Sequence, residues 1–218
     1  MEIGEFYSRM RQEVSGYSNQ SREDTSAFLI WFLMNYFRME SQDAIDSVCD
    51  HTNDKGIDGI LVDEEEETIY LFQSKFSPSD TQDQGDNDLR NFMGARTWFQ
   101  SEETVQNLID STAHHELKSL VQRKGVIDRT SFNVVSVFVT NKHFNKHALE
   151  YIPTDINLEA YDSNKLFTED IGHPKLQEHL LKVEVLMDAA PNYPSFYRLL
   201  QRALPKVSET IPMEIPER

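Results

Sequence analysis

Asp54-Lys55-Gly56-Ile57-Asp58-Gly59-Ile60-Leu61-Val62-Asp63 is followed by Glu64-Glu65-Glu66-Glu67 and then by Thr68-Ile69-Tyr70-Leu71-Phe72-Gln73-Ser74-Lys75-Phe76. Two runs rich in β-branched and aromatic residues flank an acidic stretch. The pattern predicts strands over 57–62 and 68–76, joined by a solvated hairpin tip at 63–67. Residues two apart on a strand share a face, so Gln73 and Lys75 point the same way, with Cα atoms about 6.5–7 Å apart. With 64–67 as the loop, Asp63 pairs with Thr68. Counting back then sets Asp58 opposite Gln73, and opposed residues share a face. A one-residue slip would scatter the group.

Outward from this hairpin, the 218 residues suffice for one domain with a real core and a small appendage. An apolar fraction of 39%, with 11% aromatic, is that of a globular chain. Residues 1–20 read as a partly helical N-terminal segment. A helix is expected over 21–39, with Ser21 as N-cap and Asp24 as its capping acid. Its stretch Ala27-Phe28-Leu29-Ile30-Trp31-Phe32-Leu33 is apolar nearly all round and should be buried. A short strand is expected over 44–49, a loop over 77–88, and helices from there to 123. The strongest strand pattern spans 132–140, followed by a helix over 145–151 and a last strand over 156–161. Helices around 174–188 and 194–203 complete the reading. The expected fold is α/β: a mixed sheet flanked by helices over 21–166, with a helical C-terminal extension over 167–218. The ending Ile211-Pro212-Met213-Glu214-Ile215-Pro216 cannot continue a helix. The chain reads as the front part of a longer protein with further C-terminal domains.

Several classes are disfavoured. The longest apolar run, Ala27 to Met34, is far shorter than the roughly 18 residues of a membrane span. Met1-Glu2-Ile3-Gly4-Glu5 lacks the features of a signal peptide. The single cysteine, Cys49, excludes an internal disulfide and a cysteine-rich zinc site. Cytoplasmic residence is expected. The net charge of −16 argues against a strong electrostatic grip on nucleic acid, although it does not constrain the chemistry of a site.

The hairpin gathers a carboxylate, an amide oxygen and an ammonium. A hard divalent cation takes oxygen ligands, and Mg²⁺ typically uses one or two carboxylates plus phosphate and water. Asp58 supplies a carboxylate, Gln73 a neutral oxygen, and the main-chain carbonyl of Ser74 another. Lys75 can hold a water and stabilise charge building on phosphorus. Gly56 and Gly59 leave room beside Asp58.

Gly56-Ile57-Asp58-Gly59-Ile60 followed by Gln73-Ser74-Lys75 resembles the Mrr-type branch of the PD-(D/E)xK, restriction-endonuclease-like superfamily, in which Gln replaces the usual acid. The likeness is nearest to the N-terminal region of AIPR, abortive infection phage resistance, proteins. Val137-Phe138-Val139-Thr140 and the helix after it resemble the later part of that pattern. The resemblance covers about residues 21–166. It implies an αβββαβ core, catalysis by Asp58, Gln73 and Lys75, Mg²⁺ or Mn²⁺ as cofactor, and DNA as substrate and partner. It also implies a metal-binding acid on the first helix, best matched by Glu23, with Asp24 second. A homodimer is a further expectation. Two rival readings are a catalytically weak or inactive module of the same fold and an acidic protein that mimics DNA.

Other residues read more blandly. Asp54 looks like a turn former rather than a ligand. His114 and His115 are adjacent and so do not share a helical face. His143 and His147 would lie four apart if the segment were helical, a zinc-compatible spacing, but without an evident third ligand. Trp31 and Trp98 look like core residues.

Overall fold

The computed structural model describes residues 2–18, 23–49, 54–78 and 82–170. The first compact unit spans Met1–Glu169. The expected helices at 174–188 and 194–203 lie outside the described residues.

The chain opens with α1 (Ile3–Ser15), whose Phe6, Tyr7, Met10 and Val14 form one buried stripe at helical spacing. α2 (Asp24–Tyr36) is buried continuously from Ser26 to Leu33, as its all-round apolar sequence requires. It begins later than expected. Glu23 is the extended N-cap residue, and Asp24 accepts the Ser18 hydroxyl at 2.9 Å; Ser21 lies outside the described residues. The strand expected over 44–49 is instead α3 (Ser41–Ile45) followed by a single bridge from Val48 to Gly59. Polar residues and Asp43 in the first turn favour the helix there, and only the short stretch after Ile45 is left to run beside the sheet.

β1 (Gly59–Asp63) and β2 (Thr68–Lys75) form the expected antiparallel hairpin, closed by Glu67 at a φ of 47°. The connection from β2 holds β3 (Asp83–Gln84), α4 (Asp86–Ala95), a 3₁₀ turn, α5 (Glu102–Asp110) and α6 (His115–Arg123). The chain then enters β4 (Asn133–Thr140), β5 (His143–Phe144), α7 (Lys146–Tyr151), β6 (Leu158–Tyr161) and α8 (Ser163–Glu169). The main sheet has the order β1-β2-β4-β6; β2, β4 and β6 are parallel and β1 is antiparallel. β3 and β5 make a separate parallel pair.

Alternation along the strands divides the interior in two. Ile69, Leu71 and Phe138 belong to the apolar cluster built with α4, α5, α6 and α7. Phe72, Val137 and Val139 belong to the cluster built with α1, α2 and α8. A mixed sheet is therefore covered by helices on both faces, the arrangement that buried parallel strands need. No described helix is long and apolar enough to cross a membrane.

Candidate functional site

The hairpin register runs from Asp63 against Thr68 to Gly59 against Phe72, as the sequence predicts. One residue further the ladder changes. The Asp58 N–H donates to the Phe72 carbonyl at 2.8 Å, so Asp58 and Gly59 both address Phe72. Two residues facing one is the geometry of a β-bulge. The bulge turns the Asp58 carboxylate toward the open edge of β2. There its Oδ2 accepts the Ser74 N–H at 2.7 Å and the Ser74 hydroxyl at 3.3 Å. Asp58 is thus brought beside the Gln73–Lys75 segment by a side-chain bond that continues the ladder where β1 has ended.

Close neighbours hold the bulge. Lys55 and Gly56 have φ of 59° and 78°, a tight left-handed turn. Asp54 organises it: its Oδ1 accepts the Gly56 N–H at 2.7 Å, and its carbonyl accepts the Ile57 N–H at 3.1 Å. A Cβ on Gly56 would lie 3.2 Å from Gln73 Nε2. A Cβ on Gly59 would lie 2.8 Å from the Ser47 carbonyl oxygen and 3.1 Å from Leu29 Cδ2. Both glycines mark close approach of neighbours to the backbone.

Gln73 and Lys75 alternate in phase with Ile69 and Leu71, on the face covered by α4–α7. Ser74 faces α2, where its hydroxyl donates to the Thr25 carbonyl at 3.1 Å. The N–H and C=O of one residue in an extended strand point to the same side. The Ser74 carbonyl therefore faces the Asp58 side of β2, beyond the end of β1.

The electrostatics are unusual for an aspartate. Burial of the carboxyl pushes the Asp58 pKa up to about 7. The Ser74 N–H and Lys75 oppose the rise, while the adjacent Asp54 carboxyl adds to it. The second unusual feature is Gln73. It is 6% exposed, and its Oε1 has no hydrogen-bond partner. A buried amide oxygen without a donor is costly, on the order of 1–3 kcal/mol.

These donors fit a hard divalent cation in type: carboxylate, amide oxygen and main-chain carbonyl. They do not form a cage. Among the described residues no three His, Cys, Asp or Glu side chains gather as a metal set. Glu23 is exposed at the N-cap of α2, and Asp24 holds Ser18.

The histidines do not assemble. His143 lies on β5 and His147 on α7, so they share no helix; His143 Nδ1 instead meets the Ser163 hydroxyl at 2.7 Å. His114 is the N-cap of α6 and accepts the Glu116 N–H at 3.4 Å. Trp31 is buried between α1 and α2 and donates to Glu13 at 2.6 Å, and Trp98 is partly buried against the other core.

Sequence reasoning missed two contributors. The first is Asp54, whose turn-forming role hides that its carboxyl helps to raise the Asp58 pKa. The second is Asn141, just after β4. Its amide accepts the Ser77 N–H at 2.8 Å and donates to the Ser77 carbonyl at 2.6 Å, clasping the chain as it leaves Lys75. An asparagine after a strand carries no signal of such a partner 64 residues away. No known protein family, curated protein or solved structure matches this chain.

Proposed function

We propose that this chain is a metal-dependent endonuclease domain of the Mrr-like PD-(D/E)xK type, hydrolysing DNA phosphodiester bonds in anti-phage defence of the AIPR kind. One observation carries the reading: at the open end of β2, the enclosed Asp58 carboxylate meets the Gln73–Lys75 segment, where the buried Gln73 Oε1 has no donor. The element order also supports it. α2, the Val48 bridge, β1, β2, the α4–α6 helices and β4 follow the αβββαβ sequence, with the first strand reduced to one bridge.

Bound here, Mg²⁺ or Mn²⁺ would polarise a phosphoryl oxygen and make a nearby water more acidic. Asp58, the Gln73 amide oxygen and the Ser74 carbonyl are the groups that would hold it. Asp58 is fixed by the Ser74 N–H, so its second oxygen is oriented without side-chain freedom to lose. Lys75, half-buried on the same face as Gln73, is placed to position a water and to stabilise charge growing on the phosphate.

The test is a plasmid-nicking time course run alongside a DNA-binding titration. Lys75→Ala should lower the cleavage rate on the order of 10²- to 10³-fold with little change in DNA affinity, because its contact strengthens in the transition state. Lys75→Arg should not restore it. Wild-type cleavage by Lys75→Ala would refute the assignment. A second reading is a nuclease-fold module that binds without cutting; it is favoured because, among the described residues, no three His, Cys, Asp or Glu side chains gather as a metal set. It expects no metal-dependent nicking at all and a reduced salt slope of binding in Lys75→Ala.

A further inference from the structure

We infer that Asn141, the residue just after β4, is a positioning residue for Lys75: its side-chain amide fixes the main chain beyond Lys75 and so sets where the ammonium lies at the end of β2. The inference rests on the nuclease reading above and deepens it.

The geometry begins where the sheet stops. Lys75 and Thr140 are the last register pair of β2 and β4. The chain bends at Asn141 and Lys142, so the main-chain ladder to β2 ends there. Ser77, two residues past Lys75, is nevertheless only 5% exposed. A buried main chain needs a partner for its N–H and another for its C=O. Asn141, 1% exposed, supplies both: Oδ1 accepts the Ser77 N–H at 2.8 Å, and Nδ2 donates to the Ser77 carbonyl at 2.6 Å. A carboxamide carries an oxygen acceptor and an N–H donor side by side, as a peptide group does. The Asn141 side chain thus stands in for one more rung of the ladder.

The chain is fixed on the other side of Lys75 as well. The Ser74 N–H donates to Asp58, and the Ser74 hydroxyl donates to the Thr25 carbonyl. Lys75 is therefore held between two anchors, at Ser74 and at Ser77. What they fix is the direction in which its flexible four-carbon stem sets out. A group that stabilises charge in a transition state must already be in place. A displacement of about 1 Å, caused by a residue outside the chemistry, can cost on the order of 10² in rate. Asn141 is enclosed, so any effect it has on cleavage runs through the segment it holds.

The experiment is a double-mutant cycle in the plasmid-nicking time course, with Asn141→Ala and Asn141→Gln each made alone and together with Lys75→Ala. The Gln variant keeps the amide and displaces it by one methylene, so it completes the cycle should the Ala variant not fold. DNA affinity, melting temperature and hydrogen exchange at the Ser77 amide are measured in parallel, and rates are compared at a temperature where the variants are folded. The expected result for Asn141→Ala is a cleavage rate lowered about tenfold or more, DNA affinity held within about twofold, and faster exchange at Ser77. Asn141→Gln should lose less. In the Lys75→Ala background the same substitutions should change the rate by less than about twofold, because the group they position is gone. An equal loss in both backgrounds would mark a general structural role and overturns the inference. Wild-type cleavage by Asn141→Ala, or unchanged exchange at Ser77, overturns it too. Each of these outcomes leaves the Lys75 assignment standing. Absence of metal-dependent nicking by the wild type overturns the nuclease reading and the inference with it.

Discussion

Asp58 is where residue-scale chemistry is most exposed to test. Burial raises its pKa to about 7, against an ordinary carboxylate near 4. The folded chain therefore holds a proton that the unfolded chain releases as pH rises through that interval. The unfolded state binds fewer protons there, so the contribution of Asp58 to stability is full below about pH 4 and is lost toward pH 7. Asp58→Asn removes this dependence while its amide oxygen can still accept the Ser74 N–H. Without divalent cations, the variant should melt above the wild type at about pH 8, and the difference should shrink toward about pH 5. Parallel melting curves across that range would show that Asp58 is not protonated in the fold. The same proton competes with metal. Mn²⁺ affinity should rise from about pH 6 to about pH 8 in the wild type and be lost in Asp58→Asn. Wild-type affinity in that variant would remove Asp58 as a ligand.

At the scale of elements, the hairpin shows why some features were legible in the sequence and others were not. Strand alternation and the acidic tip together specify the β1–β2 register, because a slip would turn Ile69 and Leu71 out of the core. That register carries Asp58 to this end of β2 but does not set it opposite Gln73 as counting along the strands predicts: its N–H meets the Phe72 carbonyl and its carboxylate meets Ser74. The bulge that redirects its carboxylate does not follow from the register, since it depends on Ser47 and Cys49 lying alongside: Ser47 O accepts the Ile60 N–H and Cys49 N–H donates to Asp58 O, both at 2.9 Å. Those contacts come from a segment that local pattern misread as a strand. Asp54 was legible as a turn former but not as a neighbour of Asp58, because alternation says nothing about a residue outside the strand. Gly59 makes the packing testable. A methyl there would meet a main-chain oxygen at 2.8 Å, whereas one on Gly94 in α4 would meet nothing within 4 Å. Gly59→Ala should destabilise the chain, by about 1–3 kcal/mol as for overpacked sites, and should weaken Mn²⁺ binding by shifting the bulge. Gly94→Ala should stabilise it by about 0.5–1 kcal/mol through helix propensity. Urea denaturation of both variants checks the contrast; equal shifts would contradict the close packing at Gly59.

For the whole molecule, charge and core are distributed unevenly. The acidic tip, Asp63 to Glu67, lies at the opposite end of the hairpin from Asp58 and Lys75, some five to seven residues along the strands, or about 15–25 Å. That exceeds the Debye length of about 8 Å at physiological ionic strength, so the tip's negative charge is largely screened from the site. Arg129 further offsets it by bonding Glu64 at 2.6 Å. The net charge of −16 therefore weighs on diffusional encounter more than on the chemistry at β2. The core behaves differently, because it depends on the first helix. Phe6, Tyr7, Met10 and Val14 of α1 are buried against α2, where Phe6 meets Trp31 edge-on at 6.4 Å. Re-exposing large apolar side chains costs about 1.5–3 kcal/mol each. Four of them together rival the entire stability of an ordinary domain, about 5–15 kcal/mol. α2 in turn carries Thr25, whose carbonyl holds the Ser74 hydroxyl beside Asp58. Removing residues 1–18 should therefore abolish cooperative thermal unfolding and, with it, Mn²⁺ binding. Trp31 reports on the cause, since loss of α1 strips its cover and its bond to Glu13 and should shift tryptophan emission to longer wavelength. A truncated chain that melted cooperatively at the wild-type temperature would show that α1 is an appendage and that α2 holds the site without it.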